Sequence, residues 1–206
     1  MTKSQAGAFE PAWAFLSCSY SFLDVDFQLT TYMRYSVGQI WLHWISAVVI
    51  LWTLFSGFYV AFIDVAMETK NWVGFINVSL TALYIPIFIL RVYFSFFHGF
   101  LAYGRKRCAA EYVALVVHKA IYLVLGIVLV TGVLMMDRPI NIFDVLLIAQ
   151  LLTDPTAIEW FTQIHIQACV VLAVLVALHV GAVFKHEMSG RPVLKNMSFS
   201  QETIRQ

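Results

Sequence analysis

The stretch from Trp160 to Phe184, WFTQIHIQACVVLAVLVALHVGAVF, contains two histidines but no Asp, Glu, Lys or Arg. A helix needs about 20 predominantly apolar residues to cross the hydrocarbon core of a bilayer, and this stretch is long enough. Three further stretches are comparably long and apolar: Ile40 to Ile63, Trp72 to Phe97 and Tyr112 to Met136. The sequence therefore predicts an all-α fold, an integral membrane bundle of four spanning helices.

The composition of the whole chain agrees with a membrane protein. Of its 206 residues, 61% are hydrophobic and only 12% are charged, whereas a soluble chain carries roughly 25% charged residues. The net charge of +1, without a basic stripe, excludes a nucleic-acid partner. No acidic residue lies in mid-span and no HExxH motif occurs, which argues against a transporter or a metallohydrolase. The three cysteines show no metal-binding or redox spacing.

The charges of the predicted loops give the orientation. Counting Lys and Arg against Asp and Glu, the loops sum to −1 (64–71), +2 (98–111) and −3 (137–159). Basic loops stay on the cytoplasmic side. We therefore expect the protein in the inner membrane of a bacterium, with both termini and the second loop in the cytoplasm. In a mitochondrial membrane the same segments would lie on the matrix side.

Two domains are predicted, residues 1–30 and residues 31–206. The first is an extension whose aromatic run, Pro11 to Leu23, is too short to span and lacks the features of a signal peptide. We expect it to lie on the membrane or against a partner. The second is the four-helix domain, in which Pro86 should bend the second helix without ending it.

Histidines inside the spans are the candidate site residues, because ionisable groups are costly in a bilayer and are by default functional. His43 and His118 lie near the inner ends of the first and third helices, while His165 and His179 lie on the fourth. The interval between His165 and His179 corresponds to about 21 Å of rise and nearly four turns, so both project from one face at two depths. His98 and His186 lie at the interfaces.

Haem b suits this arrangement, because imidazoles from two facing helices can bind one iron from both sides. His43 and His179 share the inner depth and form the predicted axial pair of one haem. His165 would need a ligand from the outer end of the second helix, where Asn77 is the available residue. The alternative, that these histidines and His118 are hydrogen-bonding core residues, stays open.

Several motifs resemble one family. Tyr35 to Trp44, YSVGQIWLHW, looks like the opening of the prokaryotic cytochrome b561 family, and Ala177 to Met197, ALHVGAVFKHEMSGRPVLKNM, is similar to its fourth helix. His118 to Tyr122, HKAIY, followed by Gly132 to Met135, GVLM, resembles its third helix. The resemblance covers nearly all of the chain except the N-terminal extension.

The resemblance implies a four-helix, di-haem b protein that exchanges electrons with quinone. One branch of the family oxidises superoxide, and the cytochrome b subunits of hydrogenases and formate dehydrogenases share the layout. Carried over, His43 and His179 match the ligands of the inner haem and His165 matches one ligand of the outer haem. Asn77 stands where the family has the helix-two histidine, and Val37 replaces the usual arginine after Tyr-Ser. The outer site is therefore compatible with a five-coordinate haem, a haem with another sixth ligand, or no haem.

The charges of the predicted loops and the polar residues at the helix ends indicate possible partners of the protein. The outer loops sum to −4, which counts against an anionic substrate such as superoxide and suits a basic partner such as a c-type cytochrome. Quinone would bind in an apolar cleft with a few polar groups, and the candidates are Lys119, His118, His186 and Lys185. These residues are equally compatible with binding haem propionates or with anchoring helix ends in the interface.

Two functions remain after these exclusions. The first is a haem b electron carrier with quinone-linked oxidoreductase activity, in contact with membrane lipid. The second is an accessory subunit of a larger respiratory or photosynthetic complex with a degenerate haem site, which residues 1–30 and Asn77 motivate.

Overall fold

The computed structural model describes residues 37–101 and 109–189, with side chains for 37–95 and 112–189. Within these residues the chain forms four long helices and one short hairpin, and the bounds are α1 Val37–Phe62, α2 Met67–Leu101, α3 Ala109–Leu134, β1 Ile140–Ile142, β2 Leu146–Ile148 and α4 Pro155–Met188. Each helix contains a segment long and apolar enough to cross a membrane. The predicted all-α membrane bundle is confirmed. The predicted extension, residues 1–30, lies outside the described residues.

Two helices, α2 and α4, extend several residues beyond both ends of their predicted spans. The helix α4 begins at Pro155 because Asp154 caps it, its carboxylate accepting a hydrogen bond from the Thr156 amide at 3.1 Å, and proline suits the first helical position. Pro86 lies inside α2, which continues to Leu101, so the proline does not end the helix, as predicted.

The bundle is built from two closely packed pairs of helices, α1 with α2 and α3 with α4. The helices α2 and α3 touch at fewer positions. A small core joins all four helices through Ile50, Tyr84, Leu125, Leu129 and Leu172. Most other large apolar side chains face outward, as expected for helices surrounded by lipid rather than water.

A two-stranded antiparallel hairpin, which the sequence did not predict, lies between α3 and α4. Phe143 and Asp144 at its turn have φ values of 47° and 57°, and the Val145 amide donates to the Ile142 carbonyl at 3.0 Å. The strand β1 packs against α2, where the fully buried Ser79 hydroxyl donates to the Asn141 carbonyl at 3.2 Å and accepts from the Phe143 amide at 3.1 Å. The hairpin thus connects the two helix pairs at one end of the bundle.

We name the two ends of the bundle by these features. The hairpin end is where α1 and α3 finish and where α2 and α4 begin. The terminal end is where α1 and α3 begin and where α2 and α4 finish.

Candidate functional site

Each of the four helices contributes at least one basic or imidazole side chain near the terminal end, and four of these side chains are His43, Arg91, His118 and His179. Each lies about two to three turns from the helix end on that side, so the alternating helix directions bring them to a common depth. His43 is within electrostatic range of the other three side chains. Three of the four predicted haem-site histidines are therefore brought together.

His43 and Arg91 are in direct contact. The Arg91 Nη2 atom lies 3.0 Å from His43 Nδ1. A guanidinium has only donors, so His43 Nδ1 accepts this hydrogen bond and the ring proton is on Nε2. The same guanidinium stacks on the Tyr122 ring, with Cζ 5.4 Å from the ring centroid.

Arg91 is a site residue that the sequence reasoning missed. The predictions for the spans considered histidines and acidic groups, but Arg91 lies within the predicted second span and within the segment able to cross the membrane. An ionisable residue of either sign in a span is a functional candidate, and this signal was available in the sequence.

His118 and His179 meet ring to ring across the α3 and α4 interface. Their centroids are 4.7 Å apart and their planes are inclined at 84°, an edge-to-face contact. Both imidazoles are partly buried. The predicted ligand His179 therefore packs against a neighbouring imidazole.

A buried tyrosine adds a polar group close to these residues. Tyr84 is only 2% exposed, and its hydroxyl makes no hydrogen bond of normal geometry with any described residue. The Ser46 and Arg91 side chains lie beside it. A buried hydroxyl without a partner is costly, so the region retains capacity for a further polar group.

The other predicted polar residues at the terminal end have structural partners or suitable helix positions. Lys119 Nζ donates to Ser95 Oγ at 3.4 Å. Lys185 and His186 occupy the last turn of α4, where positive charge complements the helix dipole.

His165 lies near the hairpin end and faces α3. Its Nδ1 atom is 3.1 Å from the Val128 carbonyl and 3.1 Å from Thr131 Oγ1, and its Nε2 atom is 3.5 Å from Cys169 Sγ. A bond from Nδ1 to the carbonyl leaves Nε2 as the acceptor, the tautomer that a metal-binding imidazole uses. Gly132 allows this close approach, because a Cβ atom there would lie 3.2 Å from His165 Cε1.

Asn77 bonds to a different helix from the one that His165 contacts. Its side-chain oxygen accepts a hydrogen bond from Ser56 Oγ on α1 at 2.9 Å. The described hydrogen bonds of Asn77 and His165 thus go to opposite helix pairs, and none joins the two residues. Only one imidazole is found at this depth among the described residues.

The terminal end fits a haem b group better than a directly bound metal ion. Among the described residues, no group of three or more His, Cys, Asp or Glu side chains converges as a metal site. A haem needs only two axial imidazoles, and His43 and His179 lie on α1 and α4, which are not among the extensively packed helix pairs. The Arg91 cation and the unpartnered Tyr84 hydroxyl add polar groups suited to its carboxylates.

Comparisons with known proteins identify the family of the chain. The family model for prokaryotic cytochrome b561 matches residues 34–200, most of the chain. A search of curated proteins finds no match. The match covers all four helices and every histidine discussed above. The chain therefore belongs to the prokaryotic cytochrome b561 family and is a multi-pass, haem b membrane protein of electron transfer.

Proposed function

We propose that the protein carries electrons between a haem b at the terminal end and the quinone pool, with His43 and His179 as the axial ligands. The observation that carries the proposal is the convergence of His43, His118 and His179 with Arg91 at one depth of the bundle. When bound, haem b supplies one-electron redox chemistry.

The protein's own residues would position the cofactor and its redox partner. His43 and His179, from α1 and α4, would hold the ring between the two helix pairs. His118 would fix the orientation of the His179 imidazole through the edge-to-face contact. The surrounding apolar helix faces would exclude water, which favours electron transfer over side reactions.

Quinone is the proposed redox partner because polar side chains occur at the terminal end of an otherwise apolar bundle. Lys119 and His118 lie on α3, and Lys185 and His186 lie on the last turn of α4. Their nitrogen atoms can hydrogen-bond quinone oxygens and exchange the protons that accompany reduction.

The ligand assignment is tested by spectroscopy of the purified protein. The wild-type protein should give a reduced-minus-oxidised spectrum of low-spin, bis-imidazole haem. His43→Ala and His179→Ala should each abolish it. Leu178→Ala is the control, because Leu178 adjoins His179 but is 61% exposed on another face of α4. A wild-type protein without haem absorbance contradicts the proposal.

The quinone assignment is tested with the haem-loaded protein. A quinol analogue should reduce the haem under anaerobic conditions, and Lys119→Met should slow this reduction several-fold while dithionite still reduces the haem fully. Thr162→Val is the control, since Thr162 lies near the hairpin end and bonds only within α4. Reduction by dithionite but not by any quinol would separate electron transfer from quinone chemistry and contradict the quinone assignment.

The proposal also covers the region near His165, where the family has a second haem. The tautomer of His165 suits iron ligation, but the helix-two position that should supply its partner holds Asn77. We therefore propose one haem per chain at the terminal end and a vestigial site near the hairpin end. Haem stoichiometry measured as the pyridine haemochrome should be close to one, and a ratio close to two contradicts a vestigial site.

The proposed location is the bacterial inner membrane, with both ends of the chain in the cytoplasm. The loop charges support this orientation, since the sequence between α2 and α3 contains Arg105, Lys106 and Arg107, whereas the predicted loops 64–71 and 137–159 contain one basic residue each. A cysteine at position 144 in a cysteine-free background should react with a membrane-impermeant maleimide added to intact spheroplasts. Labelling only after the membrane is broken contradicts the orientation.

A second candidate function is that of a subunit in a larger membrane complex. It is favoured by the outer strand β2, whose residues Leu146–Ile148 are all exposed. Extraction in mild detergent followed by native electrophoresis tests it. Co-migration with larger partners favours the subunit role, and a small monodisperse particle that is reduced by quinol favours the independent carrier.

A further inference from the structure

Arg91 is held at the terminal end by partners that do not neutralise its charge. Its guanidinium points inward, towards His43 Nδ1 on α1 and the face of Tyr122 on α3. An arginine that merely anchored a helix end would instead extend outward to the interface. Neither an imidazole nor a phenol ring carries a negative charge, so the described partners of Arg91 do not include an anion.

No described acidic side chain is positioned to supply that anion. Two ion pairs join described residues to each other, Lys70 with Asp64 and Arg138 with Asp137, and both lie near the hairpin end, remote from Arg91. A partly buried cation in a span is expected to be paired.

The geometry points to a carboxylate-binding role for Arg91: it binds a propionate of the haem, within the site that our proposed function assigns to His43 and His179. A guanidinium pairs with a carboxylate through two parallel hydrogen bonds, which makes it the favoured side chain for such an anion. The Tyr84 hydroxyl, buried beside Arg91 without a partner, is a second donor for the same group.

Arg91 can exchange its observed contact with His43 for a contact with the propionate. Arg91 donates to His43 Nδ1, which places the ring proton on Nε2. An imidazole that binds iron through Nε2 carries its proton on Nδ1, and that nitrogen cannot then accept from a guanidinium. Haem binding therefore releases Arg91 from His43 and leaves it available to the carboxylate.

The test measures how tightly the haem-depleted, full-length protein binds two porphyrins. One is haem b, and the other is its dimethyl ester, in which both propionates are blocked. The wild-type protein should bind haem b roughly tenfold to a hundredfold more tightly than the ester, the range expected for a charge-assisted hydrogen-bonding pair. In Arg91→Gln this preference should disappear because haem b binds more weakly, while ester affinity is unchanged.

Two further variants complete the experiment. Arg91→Lys keeps the positive charge but loses the two parallel donors of the guanidinium. The ratio of its haem b affinity to its ester affinity should therefore be lower than in the wild-type protein but still greater than one. Arg138→Gln, a change of an exposed arginine near the hairpin end, should keep the full preference.

The outcomes separate this inference from the proposed function. Equal binding of both rings by the wild-type protein overturns the role of Arg91, as does an unchanged preference in either Arg91 variant. Failure of the wild-type protein to bind any haem overturns the proposed function itself. Bis-imidazole spectra of the ester complexes report that the fold and the axial ligands are intact in each variant.

Discussion

The imidazole rings of His118 and His179 meet edge to face at 4.7 Å, so α3 presents a second imidazole directly beside the one we assign to the haem. Two neighbouring histidines on different helices offer two possible partners for His43. The contact gives His118 a role, because a ring that packs against the predicted ligand His179 limits the rotation of that ligand.

We expect His118→Leu to keep the bis-imidazole haem spectrum and His179→Leu to lose it. An edge-to-face aromatic contact contributes about 0.5 to 1.5 kcal/mol, so haem affinity in His118→Leu should fall by roughly twofold to tenfold. Haem titration and electron paramagnetic resonance measure both effects. The reverse pattern, with haem lost in His118→Leu and kept in His179→Leu, would assign the axial pair to His43 and His118.

We expect Asn77→His to raise the haem content from about one towards two per chain. His165 already has the tautomer that ligates iron, with Nδ1 bonded to the Val128 carbonyl, and lacks a second imidazole from α2. The pyridine haemochrome measures the gain. The double variant Asn77→His with His165→Ala should return to one, and a gain that survives in this double variant contradicts the role of His165.

We expect Gly132→Ala to destabilise the protein although alanine favours helices by about 1 kcal/mol over glycine. The new methyl would lie 3.2 Å from His165 Cε1, and that ring is held by the Val128 carbonyl and Thr131. Thermal unfolding in mild detergent measures the effect. Gly57→Ala meets nothing within 4 Å and Gly126→Ala meets Phe88 only at 3.6 Å, so both controls should be neutral or stabilising.

We expect Ser79→Ala to lower the free energy of unfolding by about 1 to 3 kcal/mol, since it leaves the Phe143 amide and the Asn141 carbonyl without their partner. Thermal unfolding and proteolysis within the hairpin should both report the loss. Thr81→Val, on the same helix, removes a hydroxyl that bonds only within α2 and serves as the control. Equal effects of the two changes would show that the hairpin contact is not stabilising.

The sequence predicted the four helices because a spanning segment is a local property, a run of apolar residues of sufficient length. It also gave the matched depth of His43 and His179, which follows from counting residues along alternating helices. The hairpin was missed, since its strands have only three residues each and depend on Ser79, a residue distant in sequence. Which helix each polar side chain faces, as for Asn77 and Ser56, depends on packing that periodicity does not encode.

The hairpin has a consequence for how the protein acquires its cofactor. It is covalently part of the α3 and α4 pair, and its strand β1 packs on α2, so backbone groups of the hairpin join the two pairs at this end. At the terminal end, described contacts between α2 and α3 are made by long side chains: Arg91 stacks on the Tyr122 ring and Lys119 donates to Ser95. We therefore expect the haem to enter at the terminal end after the four helices have inserted, because rotatable side chains can move aside there, whereas the hairpin end is joined through backbone groups.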